Sequence, residues 1–184
     1  MLSNYMHQGN LLADITIESW LRDDDYKADR DEVTMYTYYR ARVNKVYKGD
    51  QSLTGKTIQY AQLGVEEQIF DMLPGKGDRL LVFLTDTNNA DNNTYVPVGY
   101  NQGIFTILEY QGTAYAIKQY GKFDDLADIA AREDLLHDLI KYMYTEGGYP
   151  AARRRSMTSE DKMDPQAFVL KELEARIEEK LKDA

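Results

Sequence analysis

The stretch TMYTYYRARVNKVY, residues 34–47, is the longest strand pattern in the chain and decides its fold. Side chains alternate between two faces along it, as the period of two in a β-strand requires. One face carries Met35, Thr37, Tyr39, Ala41 and Val43, and the other carries Tyr36, Tyr38, Arg40 and Arg42. Val46 then follows Val43 at a step of three, which changes the phase. We therefore predict a β-bulge near Asn44 and Lys45, a device that bends a long strand around a small barrel.

Further segments outside this strand have short strand patterns. They are residues 11–20, 56–63, 79–84, 95–98, 104–110 and 113–118. The run RLLVFL at 79–84 is apolar on both faces, and its shortness predicts a central strand that is covered on both sides. Gln111 and Gly112 predict a tight hairpin turn between the last two segments. Short strands at this spacing predict a mainly β fold, either a barrel or a sandwich.

Helical periodicity begins only after Phe123 and predicts a closing helix at about 124–145, within a barrel unit of residues 1–148. Residues 149–164 are predicted to form a linker. An amphipathic helix is predicted in the last segment, 165–184, with Asp164 as N-cap and Pro165 at the first helical position. Its apolar stripe consists of Leu170, Leu173, Ile177 and Leu181. We expect this stripe to dock on the chain's own barrel or on a second copy, with a groove of another protein as the alternative.

Composition limits the classes of protein to which the chain belongs. Its 184 residues fit one domain with an accessory segment, and no apolar run approaches the ~18–20 residues of a membrane-spanning helix. The absence of cysteine excludes disulfides, thiolate catalysis and cysteine-ligated metals. The first residues lack a basic segment followed by an apolar one, so no signal peptide is visible. Two interpretations stay open: a cytoplasmic protein, or the mature part of an exported one.

The net charge of −9 is unevenly distributed along the chain. Residues 151–184 hold eight Lys/Arg and eight Asp/Glu, which leaves 14 basic against 23 acidic side chains, again −9, on residues 1–150. Because nucleic-acid binding depends on neutralising phosphates, this charge disfavours DNA or RNA as a partner unless one face is locally basic.

Several motifs resemble functional sites but lack a required part. The segment GDQSLTGKT at 49–57 ends like a phosphate-binding loop, yet Asp50 stands where the first glycine belongs and a strand follows instead of a helix. The segment 86–94 is rich in Asp and Asn but has Ala90 and Asp91 where a calcium loop needs an oxygen ligand and glycine. We interpret it as a polar hairpin tip, and the acidic run 23–25 as an exposed loop.

No catalytic residues, metal ligands or cofactors are assigned from the sequence. His7 and His137 have no second histidine at a ligand spacing, and no serine-hydrolase or zinc-protease motif is present. One catalytic alternative stays open, a pair of Asp or Glu carboxylates of the kind that carbohydrate-active hydrolases use.

Tyr36, Tyr38, Arg40 and Arg42 form the candidate binding face. Rings and guanidinium groups in one row can stack on sugars, bases or another protein's side chains. The competing interpretation is an ordinary cross-strand ladder covered by the C-terminal helices.

The segments LLADI at 11–15, VNKVYKG at 43–49, GDRLLVFL at 77–84 and QGIF at 102–105 together resemble uncharacterised exported or lipid-anchored bacterial proteins. The resemblance implies a small closed or partly open β-barrel of the OB type with C-terminal helices, similar in shape to the inhibitory domain of tissue inhibitors of metalloproteinases. Those inhibitors present an N-terminal cysteine to the catalytic zinc, and this chain has none. Protease inhibition is therefore not carried over.

These observations together predict a non-enzymatic, extracytoplasmic binding module whose partner is a protein or a cell-envelope component. Self-association through the C-terminal helix is a further expectation. The alternatives are a carboxylate-dependent, carbohydrate-active hydrolase and an OB domain that binds single-stranded nucleic acid, which the acidic charge disfavours.

Overall fold

A computed structural model describes residues 1–21, 36–63, 73–87, 94–119, 121–145 and 164–183. The strands are β1 (Leu11–Leu21), β2 (Tyr36–Lys48), β3 (Thr57–Leu63), β4 (Arg79–Asp86), β5 (Thr94–Pro97), β6 (Ile104–Tyr110), β7 (Thr113–Lys118) and β8 (Gln166–Val169). The α-helices are α1 (Leu2–Gln8), α2 (Glu133–Thr145) and α3 (Leu170–Lys182). Short 3₁₀ turns occupy Gln51–Leu53, Tyr100–Gly103 and Asp124–Leu126. None of the helices in these ranges has the length and apolar character needed to cross a membrane.

Five strands close into a barrel in the order β1, β2, β3, β5 and β4, with β4 returning to β1. The pairing of β3 with β5 is parallel, and the other pairings around the barrel are antiparallel. The predicted mainly β fold is confirmed, and the closed barrel is consistent with the OB type. The junction between β3 and β5 is short, with the two residue pairs Gln59–Thr94 and Tyr60–Tyr95.

The bulge predicted near Asn44 is confirmed by the register between β1 and β2. Asp14 lies opposite Lys45 and Ile15 opposite Val43, which leaves Asn44 as the extra residue. As a result Val43 and Val46 both point into the interior, although three positions separate them. One inserted residue thus restores the apolar phase of the strand.

Strand β4 separates two apolar cores, as its two-sided sequence predicts. Leu80, Val82 and Leu84 pack into the barrel interior, whereas Leu81 and Phe83 pack into a second core outside it. Along its other edge β4 pairs first with β6 and then with β5. This strand therefore belongs both to the barrel and to an extension formed by β6, β7 and β8.

The helices close the two cores. Leu139, Ile140 and Met143 of α2 join the core of the barrel interior. The second core takes its helical residues from α1 and α3, where Leu2 and Ile177 are fully buried. The hairpin turn predicted at Gln111 and Gly112 is confirmed, with both residues at positive φ.

The prediction of the last helix was wrong at its beginning. Residues Gln166–Val169 form β8, which pairs with β7, and α3 begins only at Leu170. Phe168 decides this outcome, because as a strand residue it is buried in the second core against Phe105. Asp164 and Pro165 therefore precede a strand and do not cap a helix. The predicted closing helix likewise begins late, at Glu133, after the 3₁₀ turn at Asp124–Leu126.

Three other predictions lie outside the described residues. They concern the linker, apart from Asp164, the acidic run 23–25 and the polar tip at 88–93.

Lys118, at the end of β7, is a buried cation with 1% of its surface exposed. Its Nζ lies 4.5 Å from the centroid of the Phe123 ring. Burial penalises the charged ammonium and lowers the pKa of Lys118 from 10.5 to about 8. The folded chain therefore releases this proton at a lower pH than the unfolded chain does.

This difference predicts how stability depends on pH. Between pH 7 and 9, below the range in which tyrosines lose their protons, the unfolded chain binds more protons, so the free energy of unfolding should rise with pH, by roughly 1 kcal/mol at pH 9. Lys118→Met should flatten this rise, while Lys56→Met, which changes an exposed lysine, should keep it. Urea unfolding at four pH values measures both, and a rise that persists in Lys118→Met would contradict the assignment.

Candidate binding face

The outward side chains at the start of β2 form the row that we call the Tyr–Arg face: Tyr36, Tyr38, Arg40 and Arg42. Both arginines are exposed and both tyrosines are half-buried. The alternate residues Tyr39 and Ala41 are buried inside the barrel, so the alternation expected of this strand is present. At about 3.3 Å per residue, the row extends over roughly 20 Å.

The residues beside the two arginines carry hydroxyl or amide groups. Arg40 lies between Ser19 on β1 and Gln59 on β3. Arg42 lies between Thr16 and Thr57 on the same two strands. Within the described ranges neither arginine forms an ion pair. Glu18 is the extra residue of β1 between the partners of Ala41 and Arg40. The two guanidinium groups thus keep donors for a partner.

Trp20 is a further exposed aromatic residue at this end of the barrel. It lies near the end of β1, one position after Ser19 and opposite Tyr39, with 54% of its surface exposed. Paired residues of neighbouring strands project from the same side of a sheet, so Trp20 lies on the side of Tyr39 and not on that of the Tyr–Arg face.

A buried ion pair lies on the same outer surface of the barrel, where Thr16 is paired with both Arg42 and Arg79. Asp14 is only 2% exposed, and its carboxylate accepts hydrogen bonds from Arg79 Nε and Nη2. The bulged Asn44 donates from Nδ2 to Asp14 Oδ1, at 3.0 Å, and to Thr16 Oγ1, at 2.8 Å. The hydrogen bond to Asp14 raises the pKa of Arg79, against the opposing effect of burial. These contacts hold Thr16, the neighbour of Arg42, in place.

Helix α3 reaches β2 beyond the bulge. Glu174 accepts hydrogen bonds from Tyr47 Oη at 2.7 Å and from Lys45 Nζ at 3.2 Å. Burial, together with the hydrogen bond to Glu174, raises the pKa of Tyr47 well above its usual value. The described contacts of α3 with β2 therefore lie at Lys45 and Tyr47, away from the Tyr–Arg face.

The apolar stripe of the last helix faces the chain's own second core. Leu170, Leu173 and Ile177 are buried there, and Leu181 packs at its margin. Arg176 fixes the same helix through hydrogen bonds to Asp128 and to the carbonyl of Asp125. A partner that used this stripe would have to displace α3 from the barrel. The stripe is thus a packing surface, whereas Arg40 and Arg42 of the Tyr–Arg face are exposed.

The chemistry available at the Tyr–Arg face is recognition. Guanidinium groups bind carboxylates, phosphates or sulfates through paired hydrogen bonds, and aromatic rings stack on flat apolar surfaces. The described residues contain no group of three His, Asp or Glu side chains placed to hold a metal ion.

The two kinds of arginine on this surface should respond differently to mutation. Arg79→Met leaves the buried Asp14 carboxylate without its ion-pair partner, which should lower the free energy of unfolding by about 3 kcal/mol. Arg42→Met removes an exposed arginine of the Tyr–Arg face and should change the free energy of unfolding by less than about 0.5 kcal/mol. Urea denaturation compares them, and equal losses would mean that Asp14 does not depend on Arg79.

No family model, no curated protein and no solved structure matches this chain. The resemblance to exported or lipid-anchored bacterial proteins, carried by segments such as VNKVYKG at 43–49, therefore stays a prediction. The barrel itself is shown by the strand pairings, and the role of its surfaces has to be inferred from their geometry.

Proposed function

We propose that this protein is a non-enzymatic binding module that presents the Tyr–Arg face to a protein or a cell-envelope component outside the cytoplasm. One observation carries the proposal: Arg40 and Arg42 are exposed in a row with two tyrosines, and hydroxyl or amide side chains lie beside them. Structural arginines usually have acidic partners, as Arg79 does with Asp14.

The composition of the face favours a partner with negative charges and flat surfaces. Two guanidinium groups two positions apart, about 7 Å along the strand, suit two carboxylates or other anions on one polymer or one protein surface. Tyr36 and Tyr38, both half-buried, supply rings beside them. Long-range repulsion from the acidic chain disfavours a polyphosphate partner such as nucleic acid.

The extracytoplasmic location rests on the resemblance of segments such as LLADI at 11–15 to exported and lipid-anchored proteins. The absence of cysteine is compatible with that location, because no thiol is available to be oxidised there.

A pull-down from a cell-envelope extract tests the proposed face. The intact chain is compared with the double variant Arg40→Gln/Arg42→Gln, and the control Lys56→Gln/Lys76→Gln removes the same charge from two other exposed positions. We expect the intact chain and the control to recover the same component, and the Arg40→Gln/Arg42→Gln variant to recover at least about tenfold less, since each charge-assisted contact contributes ~1.5–3 kcal/mol.

Equal recovery by the intact chain and the Arg40→Gln/Arg42→Gln variant would reject the Tyr–Arg face as the binding surface. Release of reducing sugar ends from the same extract by the intact chain would instead favour the hydrolase alternative.

A further inference from the structure

A cavity of about 300 Å³ opens between α1 and α3, at the opposite end of β2 from the Tyr–Arg face. Its wall includes Met6 and His7 from α1, Lys48 from β2, and Lys180, Leu181 and Asp183 at the end of α3. The volume lies at the lower end of the range for small-molecule sites, so the cavity suits a small ligand.

Two ammonium groups line this cavity, and contacts with the protein hold both in place. Lys48 Nζ donates to the carbonyl oxygens of Met6 and Gly9, at 2.5 and 2.9 Å, which ties β2 to the end of α1. Lys180 Nζ lies 3.5 Å from Asp125 Oδ2, and Asp125 in turn accepts a hydrogen bond from the backbone of Leu2. An ammonium group has three donors, so each lysine retains at least one for a ligand.

The charge and shape of the wall select the ligand class. Lys180 is paired with Asp125, and Asp183 also lines the cavity, but Lys48 is held by backbone carbonyls and has no carboxylate partner among the described residues. Met6 and Leu181 supply an apolar surface next to these cations. A ligand that satisfies both parts carries an anionic head group and a short hydrocarbon tail.

We propose that this cavity binds a small amphiphilic anion. Its carboxylate or phosphate head lies between Lys48 and Lys180, and its tail packs against Met6 and Leu181. The site is independent of the Tyr–Arg face and of the function proposed for that face.

Calorimetric titration of the full chain with octanoate and with octyl phosphate tests this site. Both ligands have an anionic head group and a hydrocarbon tail. The one that binds more tightly identifies whether the natural head group is a carboxylate or a phosphate. Acetate, which lacks the tail, and 1-octanol, which lacks the charge, should each bind at least about tenfold more weakly than the better anion.

Three variants assign the binding to this cavity. Lys180→Gln should weaken the better anion at least about tenfold, and Lys182→Gln, an exposed lysine on the same helix turn, should stay within about twofold. Leu181→Trp fills the apolar part and should abolish binding while the circular dichroism spectrum stays unchanged. The proposal fails if neither anion binds below millimolar concentration, if 1-octanol binds as tightly, or if Lys180→Gln and Leu181→Trp both bind like the intact chain.

Discussion

The structure depends on one constraint, the bulge at Asn44 opposite a buried carboxylate. Without an extra residue at this position, the alternation that buries Tyr39 and Val43 would point Val46 away from the interior. Asn44 has two effects. Its insertion corrects the alternation of inward and outward side chains along β2, and its side-chain amide donates a hydrogen bond to Asp14. A buried carboxylate is costly without such partners, so the local irregularity and the buried charge stabilise each other.

The bulge also divides β2 into two parts that serve different surfaces. Before it, the outward residues of β2 form the exposed Tyr–Arg face, with Arg40 and Arg42 most accessible. After it, Tyr47 and Lys48 bind α3 and α1 and become part of the wall between the helices. A single long strand therefore connects a surface suited to a large partner with a cavity suited to a small ligand. The buried residues of α1 and α3 pack into the second core, and the described contacts of α3 with β2 lie beyond the bulge, away from the Tyr–Arg face.

The sequence predicts those features that neighbouring residues determine, and it does not predict those that depend on contacts between distant segments. The bulge at Asn44 follows from the spacing of apolar residues along one strand, and the exposed row on β2 follows from the same alternation. Strand β8 was missed because its pairing with β7 and the burial of Phe168 are long-range, while Asp164 and Pro165 imitate a helix start. The pair of Asp14 and Arg79 joins residues 65 positions apart, which no local pattern can indicate.

The free energy of unfolding of a chain lacking Asn44 tests the account most directly. Deletion of this residue moves every later side chain of β2 to the opposite face, so Val46 would point outward and Tyr47 inward. We expect the deletion variant to show no cooperative urea transition, whereas Asn44→Gly, which keeps the residue count, should fold with a loss of about 1–3 kcal/mol. A deletion variant as stable as Asn44→Gly would contradict the claim that the bulge sets the register of the barrel.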